Sequence, residues 1–152
     1  MQNSLVRSAR LALYTIFLVC AACGSKDSPE AQIHAVIRQM EAAAEARATG
    51  DLMEFISPDF RGDYAQNRDE LSRLLRGYFI ANQSVHLLTR IERMEFPSPD
   101  EARADISVAM VGREADAAHA WNLAAELHDF HVALRHEDGD WKVTYAAAFA
   151  PH

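Results

Sequence analysis

The spacing of apolar and polar positions changes period along this chain, and each change marks a different kind of segment. Leu11 to Ala22 is an apolar segment of 12 residues preceded by Arg7 and Arg10. A membrane-spanning helix needs about 20 such residues, so the segment matches the core of a secretory signal instead. From Pro29 the period is helical. Ile33, Val36, Ile37, Met40 and Ala44 fall on one face, with Ser28 placed to cap and Pro29 at the first turn. The spacing predicts a helix over Pro29 to Ala48, stopped at Gly50. Asp51 with Glu54 is a capping-box pair for a short second helix, Leu52 to Ile56, closed by Ser57-Pro58. Asp59 to Gln66 reads as irregular. Asn67 with Glu70 repeats the capping signal, and Leu71, Leu74, Leu75, Tyr78 and Phe79 stripe a third helix.

From Ser84 the period shortens to two. Val85 to Phe96 predicts a long strand, ended by the turn chemistry of Pro97-Ser98-Pro99-Asp100. Ala102, Ala104, Ile106, Val108 and Met110 alternate with Arg103, Asp105 and Ser107, which is a strand with one buried face. Gly112 to Ala120 reads as a polar loop. Leu123 to His136 puts His128, Phe130, Val132 and Leu134 on one side, and Asp129, His131 and Arg135 on the other. Asp138-Gly139 is a tight hairpin signal, after which Trp141, Val143, Tyr145, Ala147 and Phe149 alternate. Three helices followed by four antiparallel strands define an α+β domain, its helices packed on one face of a curved sheet.

Composition narrows the classes. Removing residues 1–22 takes away two of the 15 basic residues and none of the 22 acidic ones, so the net charge moves from −7 to −9. Such an acidic body excludes nucleic acid as a partner and has no electrostatic pull toward anionic lipid. Both cysteines, Cys20 and Cys23, lie in the signal region. The remaining domain, residues 30–152, therefore has no disulfide or thiolate metal site and must be held by its core.

Two resemblances follow from these residues. Ala21-Ala22-Cys23-Gly24-Ser25 after the apolar core resembles the lipobox of bacterial lipoproteins, although Cys20 stands where that pattern has leucine. The resemblance implies a signal peptide over residues 1–22 and a lipidated tether over 23–29. Cys23 would carry palmitate-type acyl chains, a membrane anchor in the cell envelope. Gly24, in place of aspartate, implies the outer membrane by that family's sorting rule. An ordinary secretory cut after Ala22 also fits the small residues there. The order of elements, the phrase Ile56-Ser57-Pro58-Asp59-Phe60 and the ending Asp138-Gly139-Asp140-Trp141 resemble the nuclear transport factor 2-like superfamily. That resemblance implies a cone-shaped fold with a central pocket, hosting isomerases, dehydratases and non-catalytic proteins alike.

The chemistry available to such a pocket is sparse. An isomerase of this superfamily pairs a carboxylate base with a tyrosine donor in a dry site. The first helix here has no tyrosine on its apolar face, and Asp105 alternates outward. The residues therefore favour binding over catalysis: a small apolar ligand or an envelope protein, held in the pocket or on the sheet face. Tyr64, Tyr78, Trp121 and His128 are the candidate ligand contacts. An enzyme would use His128 with Tyr64 or Asp63 as acid and base; a third reading is a scaffold whose cone is filled by its own side chains. No metal-ligand spacing is present, with His119 and His136 the nearest candidates, and no cofactor is implied. Small residues on the polar side of the sheet (Ala109, Val111, Ala133, Ala146 and Ala148) suit a homodimer through that face.

Overall fold

Helix α1 runs Pro29–Glu45, and it starts where Ser28 Oγ accepts the Ala31 N–H at 3.2 Å. The computed structural model describes residues 28–110 and 126–149. The signal segment, Cys23, the tether up to residue 27, His119, Trp121 and the loop 112–120 lie outside them. No helix among the described residues is long and apolar enough to cross a membrane.

Helix α1 ends three residues before the expected Ala48. Arg47 takes a left-handed backbone (φ 55°), the Ala48 N–H bonds back to the Ala43 carbonyl, and the Arg47 N–H to Ala44. These two bonds satisfy the last carbonyls of the helix, so Gly50 is not needed as the stop. Released early, the chain starts α2 at Thr49–Glu54, with Asp51 inside the first turn and no side-chain cap.

The segment expected to be irregular is instead strand β1, Ile56–Gly62. It runs parallel to the last strand, and the register shifts between Ile56 and Arg61, which leaves Pro58 outside the paired positions. Helix α3, Arg68–Ala81, begins with the Asn67 side chain accepting the Glu70 N–H at 2.9 Å. The remaining strands are β2 (Leu87–Ser98), β3 (Glu101–Met110), β4 (Glu126–Glu137) and β5 (Asp140–Phe149). Their order is β1-β5-β4-β3-β2, with every pair antiparallel except β1 with β5. The β4–β5 turn is carried by Asp138 and Gly139, both at positive φ, as the Asp-Gly signal requires.

The strict alternation expected for β5 is broken. Ala133 pairs with Tyr145 and Leu134 with Val143, so one extra residue is accommodated on β5. A bulge of this kind flips every later side chain to the opposite face. Ala146 consequently lines the interior beside Val143, whereas Tyr145 and Phe149 join the outer face, where Phe149 stacks on His131 at 3.9 Å. This corrects the sequence reading of Tyr145, Ala147 and Phe149 as inward, and of Ala146 and Ala148 as outward.

One apolar cluster packs α1 against the sheet. Ile33 and Ile37 from α1 meet Ala102, Ala104, Ile106, Leu134, Trp141 and Val143 from the sheet. Trp141, 3% exposed, is core, and its indole N–H donates to Gln32 Oε1 at 3.0 Å. A second cluster, Ala43, Ala44, Leu52, Phe79 and Val85, joins the helices at the other end. Between the two the interior is open.

Candidate functional site

That opening is a cavity of about 290 Å³ between the helices and the sheet. Each element contributes from its apolar stripe: Ile37, Met40 and Ala44 from α1, Leu71 and Leu75 from α3, Ile106 and Val108 from β3, Phe130 and Val132 from β4. The bulge in β5 completes the wall by turning Ala146 inward. Among the described residues the lining presents carbon throughout. A neighbouring chamber of about 270 Å³ shares Ala44, Phe60, Leu75, Leu87 and Phe130 with the first. It continues toward Tyr64, Leu74, Tyr78, Val85 and Met110. Together the chambers extend from Ile37 to Tyr78 between the helices and the sheet.

Two of the candidate contacts, Tyr64 and Tyr78, line the second chamber. Tyr64 is 59% exposed and meets the Phe130 ring edge-on with centroids 6.3 Å apart. His128 shares the inward parity expected for it, and its ring lies 6.3 Å from that of Phe130. Tyr64 and His128 thus flank one phenylalanine, neither of them lining the deeper chamber. Asp63 is exposed, its N–H spent on the Ala146 carbonyl. Tyr78 lines the outer chamber and donates its hydroxyl hydrogen to Met110 Sδ. Trp121 lies outside the described residues.

Sequence reasoning passed over two groups. Glu41 and Thr89 line the deeper chamber, where they meet the void through carbon atoms only. Thr89 Oγ1 donates to Glu41 Oε2 at 3.1 Å, and one turn later Glu45 Oε1 accepts the Leu87 N–H at 3.1 Å. The two glutamates stitch α1 to β2, the free edge of the sheet. Burial pushes the Glu41 carboxyl above the ordinary carboxylate value, and the nearby Glu45 charge adds to the rise; the Thr89 bond opposes it. The signal was present: Ile33, Ile37 and Glu41 follow one another at four-residue spacing, so Glu41 continues the inward row of α1.

The opposite face of the sheet is polar. Asp105 Oδ1 lies 2.6 Å from His131 Nδ1, Arg93 approaches Asp105 at 3.8 Å, and the buried Ser107 hydroxyl bonds to the buried Asp129 carboxylate. A groove of about 400 Å³ there is walled by Arg93, Glu95, Arg103, Asp105, His131 and Tyr145. Among the described residues no group of three or more His, Cys, Asp or Glu is placed to hold a metal ion.

A helical layer closing a curved sheet over an apolar cavity is the nuclear transport factor 2-like cone, and solved structures share it. A nuclear transport factor 2-like protein of unknown function from Shewanella oneidensis superposes with a TM-score of 0.60 at 12% identity, over 79% of this chain and 98% of its own. A hexachlorocyclohexane dehydrochlorinase, LinA-type3, from Novosphingobium barchaimii gives 0.61 at 14% identity, over 81% and 86%. A domain of unknown function with a cystatin-like fold from Nostoc punctiforme gives 0.64 at 13%, over 84% and 80%. At these identities the likeness is one of fold. No family model and no curated protein matches the sequence.

Proposed function

We propose that this chain is an envelope lipoprotein, anchored through acylated Cys23, whose cone binds a small apolar ligand. The carrying observation is the carbon-lined cavity of about 290 Å³, which a cone serving only as a scaffold would fill with its own side chains. Supporting the anchor are the basic start, the short apolar core and the small residues before Cys23. Helix α1 starts beside Trp141, and its 17 residues span about 25 Å along the cavity.

A fluorescent apolar probe such as N-phenylnaphthylamine tests the cavity. Binding to the wild type, and its loss in Val108→Trp, which fills the deeper chamber, supports the reading; equal binding by both proteins refutes it. For the anchor, Cys23→Ser should leave an uncut precursor or release soluble protein, and unchanged membrane retention would count against acylation there. A small isomerase or dehydratase using His128 with Tyr64 or Asp63 is the second reading. It is favoured by one observation, that the rings of Tyr64 and His128 both lie beside that of Phe130. The polar sheet face, with its paired charges and the 40% exposed Tyr145, suits a second copy of this chain. Tyr145→Arg should then shift the mass in light scattering from dimer to monomer.

A further inference from the structure

Glu41 is the one titratable side chain among the described residues that line the deeper chamber. Its carboxyl sits where α1 meets the free edge of the sheet, and Thr89 Oγ1 donates to it at 3.1 Å. Glu45, one turn further along α1, brings a like charge toward it, and His86, just before β2, lies 3.7 Å from Glu45. Arg38, three residues earlier on α1, is exposed. The other elements face the chamber without charge: α3 with Leu71 and Leu75, β3 with Ile106 and Val108. Burial holds the Glu41 carboxyl above the ordinary carboxylate value, with the Glu45 charge in support and the Thr89 bond opposed.

An apolar molecule in that chamber excludes water from the carbon wall behind which the carboxyl lies, and offers it no hydrogen bond. The ionised form loses solvation and the neutral acid loses little, so an occupied cone favours the acid further. We propose that Glu41 links binding to protons. Its carboxyl takes one up from solvent when an apolar molecule fills the deeper chamber, and returns it on release. This rests on the apolar-ligand reading of the same cavity. The occupied protein holds the proton more tightly than the free protein does. Affinity is therefore greatest in acid and falls as the pH rises through the Glu41 titration. The cone loads where its surroundings are acidic and releases where they are not.

Photo-labelling of the full chain, in lysates of cells that express it, tests this with dodecane carrying a diazirine. The probe is uncharged, so its partition into lipid does not change with pH. Labelling of the peptides that line the cavity would be followed by mass spectrometry at about pH 5 and about pH 8. The wild type should reach half-saturation at about fivefold lower probe concentration in acid, the low end of coupling between linked sites. Glu41→Gln, neutral at both values, should bind as tightly at the alkaline pH as at the acid one. A double variant, His86→Gln with His128→Gln, removes the histidine beside Glu45 and the one beside Phe130. It should keep the wild-type dependence, and it alone decides the matter if Glu41→Gln does not fold. A dependence that survives in Glu41→Gln, vanishes with the histidines, or is absent or reversed in the wild type overturns the inference but leaves an apolar cavity. Failure to label those peptides in any of these proteins overturns the cavity reading itself.

Discussion

Gly62 shows how tightly single residues are fixed around the cavity. A Cβ built there would lie 2.6 Å from the Ala146 carbonyl oxygen, which is backbone and cannot swing aside. Gly62→Ala is therefore expected to cost about 1–3 kcal/mol, as overpacking does, seen as a lower urea midpoint with unchanged slope. Glu41 carries a different expectation. Its carboxyl titrates higher in the folded protein than in the unfolded chain, so the native state holds the extra proton. Stability from this group is complete below the ordinary carboxylate value and is lost as pH rises through the raised one. Glu41→Gln, which keeps a hydrogen-bonding partner for Thr89, should then melt higher than wild type at neutral pH. The difference should shrink as the pH is lowered toward 4. A gap that instead widens on acidification would show that the carboxylate, not the acid, is the favoured form.

At the scale of elements, several local signals are present in the structure, although the Asp51–Glu54 capping box is not. Ser28 and Asn67 cap as their types suggest, and Ser28→Ala should cost about 1 kcal/mol in a thermal melt. Asp138-Gly139 turns, and Ala102 to Ile106 alternates in burial as its pattern demands, whereas Ser107 and Ala109 on the other face are buried as well. The elements that periodicity missed depend on partners far away in sequence. Strand β1 exists because Ile56, Arg61 and Gly62 find Val143, Tyr145 and Ala146 in β5; nothing local in Asp59 to Gln66 says so. The β5 bulge is likewise invisible, because Tyr145, Ala146, Ala147 and Ala148 suit either face and Thr144, the extra residue, suits a regular strand equally well. The candidate site suffered from both. Ala146 reached the cavity wall only through the bulge, while Glu41 was legible as a carboxylate on an apolar row and was passed over for being charged. Arg47 offers a check on helix ends. Arg47→Gly removes the left-handed strain at φ 55° and should hold or slightly raise stability.

For the whole molecule, α1 starts beside Trp141 and runs along the cavity past Ile37, Met40 and Ala44. The proposed binding of a hydrophobic molecule rests on that apolar cavity. The measurement that bears most directly on this is quantitative extraction and mass analysis of small molecules from the purified full chain, compared with Val108→Trp. The account expects an apolar molecule to accompany the wild type in near-stoichiometric amount, and to be absent from the filled variant although both melt cooperatively. The same molecule recovered equally from both proteins, or from neither, would contradict it.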